Sequence, residues 1–265
     1  MTGLIKRVVL KIRKVIHTPA PHPPRPSYDY KIEGLAKRDS LIIDEVYWDR
    51  VMGTPLALAN LIEAVRYIEE RKIEGSIVEA GVWRGGSVIA AIKVLESQKS
   101  FNRDVYLYDT FEGMTKPSKF DRRANDSESA LKLKWKASSE ILKQKGYEGG
   151  VAAAATIEDV QNGINLIDYP SDKIHFIKGK VEDTLYELKN LPSKIALLRL
   201  DTDWYESTKV ELEILWPLLS SKAVLILDDY DYWEGNKKAV DEYFLSINVN
   251  PFKIRMDHGR IIIKE

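Results

Sequence analysis

Residues 76–87 read Ser76-Ile77-Val78-Glu79-Ala80-Gly81-Val82-Trp83-Arg84-Gly85-Gly86-Ser87, and this order of residue types decides the fold. A short β-branched run predicts a strand over 76–80. The glycines after it predict a tight turn, and the apolar stretch Val88 to Leu95 predicts a helix. The alternation continues in both directions. Upstream, Leu56, Ala59, Leu61, Ile62, Val65 and Ile68 mark a helix over 55–71, with Thr54 as cap and Pro55 as first helical residue. Downstream, strands are expected at 104–109, 174–178, 195–201 and 223–228. Helices are expected at 127–145, 156–167 and 182–190, after Asp201 through Leu219, and after Asp228 through Phe244. Residues 252–255 and 260–264 read as a closing antiparallel pair. Strands that are apolar throughout and separated by helices call for a parallel sheet covered on both faces, an α/β doubly wound fold.

Such a sheet binds its ligand beyond the carboxyl ends of its strands. Glu79, Asp109, Asp201 and Asp228 each stand at such an end, so four acids converge on one rim, although any one alone reads equally as a helix cap. The turn is not G-x-G-x-x-G, because Trp83 replaces the second glycine and its bulk argues against a dinucleotide. It also lacks G-K-[ST], so it is not a P-loop. The order E-x-G-x-x-x-G suits a cofactor without phosphates, S-adenosylmethionine, whose ribose hydroxyls Asp109 would accept.

Asp201-Thr202-Asp203-Trp204-Tyr205-Glu206-Ser207-Thr208 follows the fourth strand, and Asp228-Asp229-Tyr230 follows the fifth. With those strands adjacent, three or four carboxylates meet, with no basic residue expected between them. Such a cluster needs a cation, or its members raise each other's pKa. Oxygen ligands alone favour Mg²⁺, Ca²⁺ or Mn²⁺. A hard cation can lower the pKa of a substrate hydroxyl, leaving a nearby Asp to take the proton. Neighbours along a strand face opposite ways, so Asp228 and Asp229 both reach a cation only where the strand has turned. Otherwise one of them caps the next helix or orients a ligand. Asp203 reads equally as a cap for the helix that follows it.

On these motifs the chain resembles the macrocin O-methyltransferase family, enzymes that methylate sugar hydroxyls on macrolides and related natural products. The resemblance rests on residues 77–87, Asp109-Thr110-Phe111-Glu112-Gly113, residues 199–208, Asp228-Asp229-Tyr230 and Ala239-Val240-Asp241-Glu242-Tyr243, with weaker similarity over 156–184. It implies a Rossmann-like class I methyltransferase with a mostly parallel seven-stranded sheet, S-adenosylmethionine as cofactor and Mg²⁺. It further implies Asp201 as general base and metal ligand, with Asp228 and Asp229 completing the metal site. Glu79, Gly81 and Asp109 would hold the cofactor, joined by Arg84, Ser87, Thr54, Thr110 and Glu182. Residues 115–155 depart from the family pattern and are expected to form a lid over the acceptor: a natural-product sugar, a nucleotide sugar or a surface glycan.

Composition bounds the rest. With no cysteine, disulfides, thiolate catalysis and zinc–cysteine sites are excluded. The formal net charge of +0 conceals an asymmetry: residues 1–38 hold nine bases against two acids, leaving 31 bases against 38 acids in the remainder. That balance gives no nucleic-acid partner. Residues 4–16 pattern as a basic amphipathic helix, read either as a membrane-surface anchor or as an arm packed on the body or on another subunit. Five of the eleven prolines fall within 18–26 and read as a spacer. The domains expected are therefore 1–26, arm and linker, and 27–265, a methyltransferase domain. A cytoplasmic homo-oligomer is expected, at most peripheral to a membrane. A nucleotide-sugar oxidoreductase is the first rival, but it wants a dinucleotide turn that is absent. Its Tyr-x-x-x-Lys spacing occurs at Tyr169/Lys173, beside Pro170, and at Tyr205/Lys209, inside the aspartate motif. A metal-dependent hydrolase and a non-catalytic adapter are the others.

Overall fold

The computed structural model describes residues 32–123 and 153–265, together with residues 135, 136, 139, 140 and 143. The chain divides into two units, Met1–Glu33 and Gly34–Glu265, and the fold below is that of the second. The arm and linker readings, and the helix expected at 127–145, lie outside the described residues or nearly so.

Two helices open the unit, α1 (Lys37–Arg50) and α2 (Pro55–Glu70). The Thr54 hydroxyl accepts the Ala57 N–H at 3.2 Å, closing the start of α2 as its sequence suggests. Then follow β1 (Ser76–Ala80), α3 (Gly86–Ser97), β2 (Val105–Asp109), α4 (Ile157–Ile164), β3 (Ile174–Lys178), α5 (Val181–Thr184), β4 (Ile195–Leu200), α6 (Tyr205–Leu215), β5 (Leu219–Leu227), α7 (Glu234–Ser246), β6 (Ile254–Met256) and β7 (Gly259–Ile263). They form one seven-stranded sheet of order β3-β2-β1-β4-β5-β7-β6, in which β7 alone runs against its neighbours. Every residue of β1 and of β4 is buried, as the centre of such a sheet requires.

The order reverses between β1 and β4. From β1 the chain crosses through α3 to β2 on one side, and from β4 it crosses through α6 to β5 on the other. Right-handed crossovers in opposite directions put those helices on opposite faces. Helices α1, α2 and α3 pack together as one layer, while α5, α6 and α7 form the other. At the reversal the strand ends part, and the crevice between them is where a doubly wound sheet takes its ligand.

Three sequence expectations shift. The helix expected at 182–190 is the single turn α5 followed by a 3₁₀ turn at Leu188–Asn190. Pro192 disfavours helical backbone at Leu191, which is extended (ψ 136°). The helix expected through Leu219 ends at Leu215, because Pro217 cannot continue it, and β5 accordingly begins at Leu219. Helix α1 was not anticipated: Ile43 and Val46 are its buried apolar residues, too few for a clear stripe.

Candidate active site

Gly81 leaves β1 with φ +85°, and a Cβ there would stand 1.9 Å from the carbonyl oxygen of Asp201, so only glycine fits. The backbone is braced on both sides, Gly81 N–H to Tyr108 O at 2.9 Å and Asp201 N–H to Ala80 O at 2.8 Å. Asp109 sets the shape of the turn. Its Oδ2 accepts the N–H groups of Val82 (2.7 Å) and Trp83 (2.9 Å), and its Oδ1 accepts that of Phe111 (2.7 Å). The residue read as a ribose acceptor is thus also the brace of the glycine turn.

A cavity opens over this turn, lined on its polar side by the strand ends. Of the residues proposed from sequence, Gly81, Asp109, Thr110, Glu182 and Asp201 line it. Thr54, Glu79, Arg84, Ser87, Asp228 and Asp229 do not. Thr54 is spent on its helix cap. Arg84 is spent on Asp159, through Nε at 2.7 Å and Nη2 at 3.1 Å, and donates through Nη1 to Asp49 O at 2.7 Å. It thereby ties the turn to α4 and to the end of α1. Ser87 lies buried in the first turn of α3.

The acidic rim is not free of bases, contrary to the sequence reading. Arg199, on β4 and 6% exposed, donates Nη1 to Glu79 Oε1 (2.6 Å) and to Asp201 Oδ2 (2.7 Å), while Nη2 meets Asp228 Oδ1 at 2.8 Å. Burial alone would lower its pKa, but Asp201, Asp228 and Glu79 outweigh burial and hold it firmly charged. Glu79 itself is pushed up to about 7 by burial, against the opposing pull of Arg199.

Asp228 is therefore committed to Arg199, and the acids that meet are Asp201, Asp203 and Asp229, each offering an oxygen within 4.8 Å of the others. Asp203 is not the cap of α6. It takes a left-handed backbone (φ +66°), and its Oδ1 accepts the indole N–H of Trp233 at 2.7 Å. The cap falls to Asp121, unnoticed in the sequence, whose Oδ1 accepts the Tyr205 N–H at 2.7 Å and whose Oδ2 accepts that of Ser118 at 2.6 Å. Asp121 thus pins the described start of the expected lid to α6, and the Trp204 indole adds a bond to Thr115 O at 2.9 Å. Burial raises the pKa of Asp203 to about 6 and pushes Asp201 and Asp229 well above the carboxylate range. Asp229 Oδ2 is buried without a partner. An all-oxygen set with an unsatisfied buried donor atom is the environment a hard divalent cation fits.

Of the described histidines, His175 on β3 bonds Asp104 at 2.8 Å, and His258 sits on the β6–β7 turn. Among the described residues no helix is long and apolar enough to cross a membrane.

A sheet that reverses between β1 and β4, closes with an antiparallel β7 and holds a glycine turn at the reversal defines a class I S-adenosylmethionine-dependent methyltransferase. Residues 49–259 match the macrocin O-methyltransferase (TylF) family, and the chain belongs to it. Demethyldecarbamoylnovobiocin O-methyltransferase of Streptomyces niveus is 29% identical over 238 residues, covering 86% of this chain and 84% of the relative. The 8-demethyl-8-(2,3-dimethoxy-alpha-L-rhamnosyl)-tetracenomycin-C 4'-O-methyltransferase of Streptomyces olivaceus is 32% identical over 200 residues, covering 74% of this chain and 69% of the relative. Among solved structures, the O-methyltransferase NovP superposes with a TM-score of 0.67 at 26% identity, covering 81% of this chain and 82% of that one.

Proposed function

We propose that the chain methylates a sugar hydroxyl in a reaction that depends on Mg²⁺. The observation that carries this reading is the meeting of Asp201, Asp203 and the buried Asp229, with Asp201 and Asp203 lining the cavity beside the glycine turn. Asp201 and Asp229 would hold the cation, with Asp228 fixed beside them on Arg199. When bound, Mg²⁺ supplies a Lewis acid that makes the acceptor hydroxyl easier to ionise. Asp201 was expected to act as base as well as ligand, but Arg199 already engages its Oδ2. Asp203, which lines the cavity beside Asp201, is the base in this reading, its carboxylate held by the Trp233 indole and not by a guanidinium.

In this reading Asp203 takes the proton of the acceptor hydroxyl. When bound, S-adenosylmethionine would supply the methyl group, its S–C bond breaking with the electron pair going to sulfur as the new O–C bond forms. Gly81 and the Asp109-braced turn position the cofactor, and positioning with electrostatics supplies most of the rate. The relatives named above support a sugar as the acceptor, since the Streptomyces olivaceus enzyme is named for a rhamnosyl substrate.

The test uses labelled S-adenosylmethionine and cell extract as the acceptor source, with and without a chelator. Transfer should require Mg²⁺. Asp203→Asn should lose about 10²-fold or more in rate while S-adenosylhomocysteine still binds. Full activity in the chelator would remove the metal from the proposal, and full activity of Asp203→Asn would remove the base.

A further inference from the structure

Two tryptophans stand behind the cavity wall. Trp204 is 3% exposed and Trp233 9%, and their rings meet edge-on with centroids 5.1 Å apart. Met114 packs against the pair. Each indole spends its N–H on a different part of the wall. Trp233 donates to Asp203 Oδ1 at 2.7 Å, and Trp204 donates to Thr115 O at 2.9 Å. Asp203, Met114 and Thr115 all line the cavity, whereas the two tryptophans do not. Met114 and Thr115 lead into the segment expected to cover the acceptor.

These contacts close a ring. Asp203 and Trp204 are neighbours in the chain, so the carboxylate is tied, through the Trp233 indole, to the side chain of the next residue. The backbone between them is fixed as well, with the Trp204 N–H on Thr202 O at 2.7 Å and Asp203 at φ +66°. An aspartate just before a helix ordinarily turns its carboxylate onto the first N–H groups of that helix. Here that place is taken. Asp121 Oδ1 accepts the Tyr205 N–H, and Gly235 on α7 leaves it the room, since a Cβ at 235 would stand 2.2 Å from that same oxygen. Asp203 is thereby turned away from α6, and the Trp233 indole takes its Oδ1 instead. A donor on a bicyclic ring buried against a second ring has little freedom to swing, because a packed interior transmits displacement rather than absorbing it.

Resting on the methyltransferase reading above, with Asp203 as its base, we propose that Trp233 and Trp204 are positioning residues. They fasten the Asp203 carboxylate to the cavity wall at Met114 and Thr115, so that the base and that wall hold one geometry. An acceptor seated against the wall meets a carboxylate already aimed, and an acceptor that displaces the wall carries the base off line.

The experiment compares the full chain with Trp233→Phe, Trp204→Phe and the double variant. Labelled methyl transfer into cell extract in Mg²⁺, followed over a dilution series of the extract, separates maximal rate from apparent KM. Calorimetry with S-adenosylhomocysteine and with Mn²⁺ reports on the rest of the site. Trp233→Phe keeps a ring and loses the N–H, so its maximal rate should fall by about tenfold to 10²-fold. Its affinities for S-adenosylhomocysteine and Mn²⁺ should stay within about twofold, because a misaimed base costs rate and not binding. Trp204→Phe, which frees Thr115, should lower the maximal rate by a smaller factor and raise the apparent KM. The double variant should lose less than the product of the two losses, since both act on one carboxylate. If Trp233→Phe does not fold, 3-benzothienylalanine at position 233 keeps the bicyclic ring without its N–H and carries the same expectation. A maximal rate within about twofold of the native chain, a loss matched by an equal loss of Mn²⁺ or S-adenosylhomocysteine affinity, or strictly multiplicative losses in the double variant would overturn the proposal. A native chain that neither binds S-adenosylhomocysteine nor transfers methyl would instead strike the methyltransferase reading, and full activity of Asp203→Asn would strike its base.

Discussion

Replacing Arg199 by Met should be among the most damaging single changes in the sheet. The guanidinium is buried and meets three carboxylates at 2.6, 2.7 and 2.8 Å. Methionine fills similar volume but leaves Glu79, Asp201 and Asp228 facing one another without their cation. Removing one partner of a buried ion pair costs about 3–5 kcal/mol, far more than an exposed bridge. For a chain of this length that is a melting temperature lower by roughly 10 °C. Lysine should recover part of the loss, since one ammonium cannot reach three carboxylates as a fork does. The loss should also grow with pH. Arg199 opposes the upward shift of Glu79, so its removal raises that pKa further above 7. A carboxyl whose folded pKa is raised gives up stability as pH rises from its unfolded value through its folded one. Urea unfolding at pH 6 and pH 8, combined with Glu79→Gln in a double-mutant cycle, measures all of this, and the coupling should be about 1–3 kcal/mol. A melting point for Arg199→Met within about 2 °C of the wild type, or strictly additive single changes, would refute the clasp.

Three further changes probe the surrounding structure. Gly81→Ala must place a Cβ 1.9 Å from Asp201 O at φ +85°, so cofactor affinity should collapse and stability should fall by about 3 kcal/mol or more; unchanged S-adenosylhomocysteine binding by calorimetry would contradict the close approach. Glu211, fully buried, accepts from Thr202 Oγ1 at 3.1 Å and leaves Oε1 unpartnered, and burial raises its pKa to about 8. The wild type should therefore lose stability between pH 4.5 and 8 in a way that Glu211→Gln does not, by up to a few kcal/mol, and parallel urea midpoints across that range would count against it. Arg84→Gln should destabilise by about 1–3 kcal/mol by releasing Asp159 and the Asp49 carbonyl; a change in cofactor rate without a change in melting temperature would return Arg84 to the cofactor site.

The sheet was readable because its signals are local. Apolar runs ending in Glu79, Asp109, Asp201 and Asp228 name both the strands and the rim on which they converge. What could not be read depends on which residues lie across from one another. Asp203 was balanced between cap and ligand because the competing cap, Asp121, lies more than 80 residues before the N–H it receives, that of Tyr205. Asp109 reads as a ribose acceptor from its place at the end of the second strand, and nothing in the order of residues shows that Val82 and Trp83 also turn their N–H groups toward it.

Arg199 is the case where the missing information can be named. An arginine inside Ile195-Ala196-Leu197-Leu198-Arg199-Leu200 is already anomalous, because a buried charge persists only when paired. Alternation puts Arg199 and Asp201 on one face. The partners follow once the register is fixed. Parallel pairing sets Arg199 opposite Glu79 on β1 and opposite Ile226 on β5, so Asp228, two residues beyond Ile226, comes up on the same face. The three acids and the base are therefore consequences of one register. That register is held by the apolar residues around them and not by the ions, since a slip by one residue would turn Arg199 and Glu79 to opposite faces. The acidic rim is thus a balanced one: Arg199 binds Glu79, Asp201 and Asp228, and Asp201 is shared between that clasp and the set it forms with Asp203 and Asp229.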